Sequence, residues 1–216
     1  MKIYVDSANL KDIKLAYEMG LCDGVTTNPS LIAKEGKPFQ QTIAAICDVI
    51  DGDVHAEVLS LDYESIVEEG RELMKISPQV VVKIPMMHDG LRAVHTLANE
   101  GIRTNVTLIF STCQAILSAK AGAYNISPFV GRLDDISTDG IQLVSEIAQV
   151  FEAHPDIETD IIVASIRHPL HVVQASLTGA EILTIPGNVL LQMEKHPLTD
   201  SGIAKFVEDS KKFVTA

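Results

Sequence analysis

A lysine stands inside one of the most apolar runs of the chain, "SPQVVVKIPMM" at 77–87. Lysine is almost never fully buried without a partner, so Lys83 between valines and an isoleucine is either a solvated strand end or a chemical tool. Other polar residues close similar runs: Asp6 in "KIYVD" (2–6), Asn28 in "GVTTN" (24–28) and Glu57 in "DVHAEVL" (53–59). Asn105 and Thr107 lie in "TNVTLIF" (104–110), and Arg132 follows "NISPFVG" (125–131). Ser165 lies in "DIIVASI" (160–166), with Arg167 just beyond, and "EILTIP" (181–186) supplies only Thr184, which is expected to be silent.

Each of these has an ordinary reading alone. Asp and Asn are favoured in turns and caps, lysine snorkels out of strand ends, threonine is a common strand former, and Arg132 and Arg167 suit a surface. Their coincidence at successive strand ends carries more weight. A lysine in an apolar wall spends more time as the neutral amine, and a neutral amine attacks a carbonyl to form a Schiff base. The iminium then takes up electrons when a neighbouring carbon–carbon bond breaks. Nearby carboxylates move protons, and arginines hold a phosphate. The combination reads as lysine-dependent aldol chemistry on a sugar phosphate, with no metal site and no cofactor.

Eight short runs rich in β-branched residues must position these groups, and helix-like stretches separate them. "LDYESIVEEGRELMKI" (61–76) sets Leu61, Ile66, Leu73 and Ile76 against a charged face. "HDGLRAVHTLANEG" (88–101) ends on Gly101, a suitable residue just past a helix. "STDGIQLVSEIAQVFEAH" (137–154) opens on Ser137 and Thr138 as candidate caps. Alternating β and α elements predict a parallel sheet, and eight units predict a closed (β/α)8 TIM barrel in one domain, residues 1–216. An open doubly wound sheet would want a Gly-rich loop after the first strand, and "VDSANLKD" has none. Segment 199–216 reads as an additional C-terminal helix with Ile203, Phe206, Val207 and Phe213 on one face. It either closes the barrel or docks on a neighbouring subunit.

The chain is long enough, at 216 residues and 46% hydrophobic, to bury a sizeable core. Its net charge of -12 repels phosphate backbones and argues against nucleic acid as a partner. Cys22, Cys47 and Cys113 are widely spaced and read as free thiols of a reducing compartment. "MKIYVDSANL" has no apolar signal segment, and no apolar run approaches a membrane span. A cytoplasmic protein with no membrane partner is expected.

Four motifs together, "GVTTNPSLIAKEG" (24–36), "VVVKIPM" (80–86), "SPFVGRLDD" (127–135) and "VASIR" (163–167), resemble the transaldolase family, in particular its short members, which include small transaldolases and fructose 6-phosphate aldolases. The likeness runs essentially end to end. It implies that Lys83 forms the Schiff base and that Asp6 assists proton transfer. It pairs Glu57 with Thr107 around a catalytic water. Asn28 and Asn105 would donate to substrate hydroxyls with Ser127 on the same wall, and Arg132, Ser165 and Arg167 would bind phosphate. In the aldolase branch Glu57 is replaced by glutamine and Phe129 by tyrosine, so Glu57 and Phe129 imply the transaldolase branch, and Asn105 fits that side too. The implied reaction moves a dihydroxyacetone unit from sedoheptulose 7-phosphate or fructose 6-phosphate to glyceraldehyde 3-phosphate or erythrose 4-phosphate, within the non-oxidative pentose phosphate pathway. Cleavage of fructose 6-phosphate without an acceptor is the alternative, and a non-catalytic sugar-phosphate-binding barrel is a third. The chain departs from the longer members in lacking their extra helices and in carrying Ile166 where they commonly have an aromatic, next to the phosphate end. The resemblance also implies a homo-oligomer, a pentamer or a decamer.

Overall fold

The computed structural model describes residues 1–213. Eight strands form a closed parallel barrel in chain order: β1 (Lys2–Asp6), β2 (Gly24–Thr26), β3 (Asp53–Glu57), β4 (Val80–Pro85), β5 (Thr104–Ile109), β6 (Asn125–Pro128), β7 (Asp160–Val163) and β8 (Ile182–Ile185). Each pairs with the next, and β8 returns to β1. The helices are α1 (Leu10–Glu18), α2 (Pro29–Glu35), α3 (Phe39–Cys47), α4 (Tyr63–Met74), α5 (His88–Asn99) and α6 (Thr112–Lys120). They continue with α7 (Val130–Asp134), α8 (Gly140–Ala153), α9 (Pro169–Ser176), α10 (Gly187–Met193) and α11 (Pro197–Ser210). The expected (β/α)8 TIM barrel is therefore the observed one.

Strand and helix ends are set by local chemistry. β2 stops at Thr26 rather than at Asn28, because Asn28 turns out to cap α2: its side chain accepts from Leu31 N–H, and Pro29 supplies the first helical residue. Asp62 caps α4, accepting from Ser65 N–H. The cap of α8 is Asp139, which accepts from Gln142 N–H, and neither Ser137 nor Thr138 takes that place. Ser137 is held instead at φ +61°, in the turn that leaves α7. Gly101 follows α5 at φ +75°, the left-handed conformation glycine adopts without steric cost.

The main core lies between barrel and helices. Ile13, Ile43, Ile66, Leu97 and Ile147 are fully buried there, each worth about 1.5–3 kcal/mol against exposure. Ile166 joins this core at 1% exposure. It is not among the residues that line the cavity at the C-terminal end of the barrel. Inside the barrel, Tyr4, Ile162 and Ile182 form a small plug. Gly24 makes room for it, since a Cβ there would lie 2.6 Å from the Tyr4 ring.

The terminal helix does not close the barrel. No residue of α11 is buried, and Ile203, Phe206 and Val207 are all more than half exposed. Phe213 lies beyond the helix end, and 214–216, included in the expected helix, are outside the described residues. Among the described residues no helix is long and apolar enough to cross a membrane.

Candidate active site

The largest cavity opens at the C-terminal end of the barrel, where barrel enzymes place their chemistry. It encloses about 550 Å³. Asp6, Asn28, Glu57, Lys83, Thr107, Ser127, Phe129, Arg132, Ser165 and Arg167 all line it. Ten of the residues singled out from sequence thus converge on one pocket. Asn105 is the exception.

Lys83 is 5% exposed and comes from a strand buried along almost its whole length. Its surroundings are not the apolar wall that the run of valines suggested. Nζ donates to the Thr27 carbonyl at 2.9 Å and pairs with Glu57 Oε2 at 3.0 Å. Strand register sets this meeting: Glu57 and Lys83 are directly opposed on β3 and β4. A buried charge is tolerated because both partners are in place.

Glu57 therefore pairs with Lys83, and Thr107 makes no hydrogen bond with either. Thr107 is 1% exposed, and its hydroxyl has no hydrogen-bond partner among the described residues. β5 is irregular at this point. Its register with β6 shifts between Val106 and Ile109, and Leu108 sits at φ +61°. Bulges of this kind re-aim side chains next to active sites, and Thr107 and Leu108 both reach the pocket.

Asp6 closes β1 on the opposite wall. Its Oδ1 accepts from Thr26 Oγ1 at 2.9 Å. Burial pushes its carboxyl above the usual range; Lys83 and the Thr26 hydrogen bond partly offset that, and Glu57 adds to it. Thr26 Oγ1 also meets Thr184 Oγ1 at 2.5 Å. Thr184, expected to be silent, lines the pocket. No local signal marks it, since threonine is an ordinary strand residue and its partner is 158 positions away.

Asn105 lies beneath the pocket instead of on its wall, fully buried. Its Oδ1 accepts from Ser127 Oγ at 2.9 Å, and its Nδ2 meets His55 Nδ1 at 3.0 Å. The amide orientation follows: Nδ2 donates, so His55 accepts at Nδ1 and carries its proton on Nε2. Burial and the cations Lys83 and Arg103 press His55 down to about 3, so it stays neutral. No local signal in the sequence marks His55, whose ring packs against Asn105 beneath the pocket.

Asn28 spends its Oδ1 on the helix cap, so its amide N–H group is the part left for a ligand. At the far end, Phe129 packs edge-on to Phe110 at 5.8 Å, and Arg132 lies over the Phe129 ring at 5.2 Å. Ser165 falls just past β7 at φ +61°. Its carbonyl accepts from Gly131 N–H at 3.1 Å, and a Cβ on Gly131 would collide with that oxygen and with Arg167. Arg167 pairs with Asp135 at 2.9 Å, and its backbone N–H donates to His171 Nδ1. His171 Nε2 is 2.7 Å from Asp134, which ties the loop after β7 to α7. Arg132 has no ion pair among the described residues. Lys34 of α2 also lines the rim and was not anticipated. No three His, Cys, Asp or Glu side chains among the described residues converge to hold a metal ion.

A buried lysine beside a carboxylate, a second acid with a raised affinity for protons, and cations at one end can bind an anionic carbonyl compound and form an imine with it. The chain was compared with known proteins. The family model described as transaldolase/fructose-6-phosphate aldolase matches residues 3–216. A probable transaldolase of Caldicellulosiruptor saccharolyticus is 57% identical over 212 residues, 98% of each chain. One of Methanococcus maripaludis is 59% identical over 209 residues, 97% of each chain. One of Clostridium botulinum is 54% identical over 212 residues, 98% of this chain and 97% of its own. With likeness along nearly its whole length, the chain belongs to the transaldolase/fructose-6-phosphate aldolase family and is an enzyme of that class.

Proposed function

We propose that the enzyme is a transaldolase that carries a dihydroxyacetone unit on Lys83. The donor is sedoheptulose 7-phosphate or fructose 6-phosphate, and the acceptor is glyceraldehyde 3-phosphate or erythrose 4-phosphate. The observation that carries this reading is Lys83 on the pocket floor, with Glu57 at 3.0 Å and Asp6 on the facing wall.

The steps follow from those positions. Glu57 is close enough to take a proton from Lys83, leaving an amine whose lone pair attacks the ketose carbonyl at C2. The carbinolamine loses water to give an iminium. Glu57 and the Thr107 hydroxyl, on neighbouring sides of Lys83, hold that water. Asp6, as carboxylate, takes the proton of the C4 hydroxyl. The C3–C4 bond breaks, its electron pair flows into the iminium, and an aldose phosphate leaves. An enamine remains on Lys83. Its C3 then attacks the acceptor aldehyde, Asp6 returns the proton to the new hydroxyl, and water releases the product ketose. Burial that raises the proton affinity of Asp6 makes it a stronger base for this exchange. Asn28 donates to a substrate hydroxyl, and Ser127, whose proton goes to Asn105 Oδ1, accepts from one. Arg132, Ser165 and Arg167 hold the phosphate.

Phe129 supports transfer over simple cleavage. It lines the pocket and has no proton to give an enamine, which then survives until an aldehyde arrives. A pathway of pentose and hexose phosphates in the cytoplasm is the setting this chemistry suits. We also propose a homo-oligomer, a pentamer or decamer, in which α11 packs its exposed apolar side chains on a neighbour. A monomeric mass by light scattering would refute that.

The deciding experiment feeds fructose 6-phosphate to the protein with and without erythrose 4-phosphate and follows glyceraldehyde 3-phosphate. Release only with the acceptor is expected. Equal release without it would identify an aldolase. No covalent adduct on Lys83 after borohydride treatment with the ketose phosphate would leave a binding barrel.

A further inference from the structure

The hydroxyl of Thr184 is unexplained by the steps above. It is 3% exposed, comes from β8, and meets Thr26 Oγ1 of β2 across the flank of β1. Thr26 is equally buried, at 2%. Each hydroxyl has one proton to give. When Asp6 is ionised its carboxylate only accepts, so the Thr26 proton is committed to Asp6 Oδ1 at 2.9 Å. The 2.5 Å contact with Thr184 then has one possible direction: Thr184 donates to Thr26 Oγ1. The three groups form a chain, Thr184 to Thr26 to Asp6, that ends on the carboxylate. A hydroxyl that accepts one hydrogen bond donates its own more strongly, and the effect is larger in a site shielded from water.

We propose that Thr184 is a positioning residue of the aldol step, acting through Thr26 to orient and stabilise the ionised carboxylate of Asp6. Strand pairing builds the chain. Thr26 is opposite Asp6 in the β1–β2 register, and Thr184 is opposite Tyr4, two residues earlier, in the β1–β8 register. Thr184 thus approaches Thr26 from the far side of β1. Without this contact the buried Thr26 oxygen would lack a donor.

The charged groups that face Asp6 are Lys83 from β4 and Glu57 from β3, with Lys34, Arg132 and Arg167 farther out along the pocket. None belongs to β8, and substitution of Thr184 changes no charge. The inference rests on the transaldolase reading, because it needs Asp6 to act as the base.

The test is the pH profile of kcat/KM for fructose 6-phosphate with erythrose 4-phosphate in the wild-type enzyme, Thr184→Val, Thr184→Ser, Thr26→Val and the Thr26→Val/Thr184→Val pair. Valine preserves the shape and removes the hydroxyl. The acid limb, where Asp6 becomes ionised, moves to higher pH in Thr184→Val, and activity on that limb falls about threefold. Thr184→Ser restores the wild-type limb, which a purely packing role would not require. In the Thr26→Val background, Thr184→Val adds no further shift, because the chain is already cut. An unchanged limb in Thr184→Val, or the same shift with Thr26 absent, overturns the inference. Borohydride trapping on each protein separates the two levels. No adduct in the wild-type enzyme overturns the transaldolase reading and this inference with it, whereas normal trapping with an unchanged limb overturns this inference alone.

Discussion

β3 carries a carboxylate at each end, and the two meet different fates. At the N-terminal end of the barrel Asp53 binds Arg103 at 2.5 Å and accepts from the Tyr4 hydroxyl at 3.1 Å. Arg103 also donates to the Pro78 carbonyl and lies over the Tyr124 ring at 5.3 Å. Asp53 and Arg103 are matched to each other, and the cluster of Tyr4, Ile162 and Ile182 packs beside them. Four residues on, Glu57 binds Lys83, but the surroundings are left open. A second acid, Asp6, shares the site, the Thr107 hydroxyl has no partner among the described residues, and the cavity opens outward. Two pairs of similar chemistry on one strand therefore differ in setting: one is packed beside the Tyr4 cluster, and the other opens on a cavity that can take up a substrate.

Substitutions at the two ends should separate these roles. The largest effect is expected for Lys83→Arg, which keeps the charge facing Glu57 but cannot form an imine. Activity should fall on the order of a thousandfold or more, while the Tm stays close to wild type. Residual activity near wild type would remove Lys83 from the chemistry. Asp53→Ala should do the reverse. It leaves the Arg103 guanidinium and the Tyr4 hydroxyl without their acceptor and should cost about 2 kcal/mol in urea unfolding. kcat should change less than about twofold, and a larger loss would mean the two ends are coupled.

His55 lies between the two ends and is the acid-sensitive point of the barrel. Its folded-state value of about 3 lies below the ordinary 6.5, so the unfolded chain binds the extra proton first. Its contribution to stability is complete above pH 6.5 and is lost as pH falls from there toward 3. The slope over that window is about 1.4 kcal/mol per pH unit. His55→Phe should flatten that part of the stability curve, and an equally steep curve in the variant would show that other groups set it. The smallest effect concerns the product of the open end. Phe129→Tyr should raise acceptor-free release of glyceraldehyde 3-phosphate about fivefold, with transfer reduced less. An unchanged rate would mean the ring does not govern the lifetime of the enamine.

Much of the barrel was legible before its structure. The eight apolar runs are short, β-branched and regularly spaced, and a strand buried on both faces has few other ways to be written. Helix caps were less legible, because Asp139, Thr138 and Ser137 are all acceptable caps and backbone geometry chose the aspartate. Asn28 read as a strand end for a similar reason. The strand and the cap it serves lie two residues apart, and only the turn between them decides which claims the asparagine.

Lys83 was visible from residue type alone, because an ammonium in a run of valines conflicts with its neighbours, and such conflicts mark function. Tertiary structure alone decided what surrounds it. Glu57 faces Lys83 through β3–β4 register, Asn105 sinks beneath the pocket onto His55 and Ser127, and Thr184 reaches Thr26 by closure of β8 onto the other side of β1. Local chemistry writes which side chains are unusual, through burial and backbone preference. Which of them touch depends on strand register and barrel closure, and those are set by the packing of the whole chain.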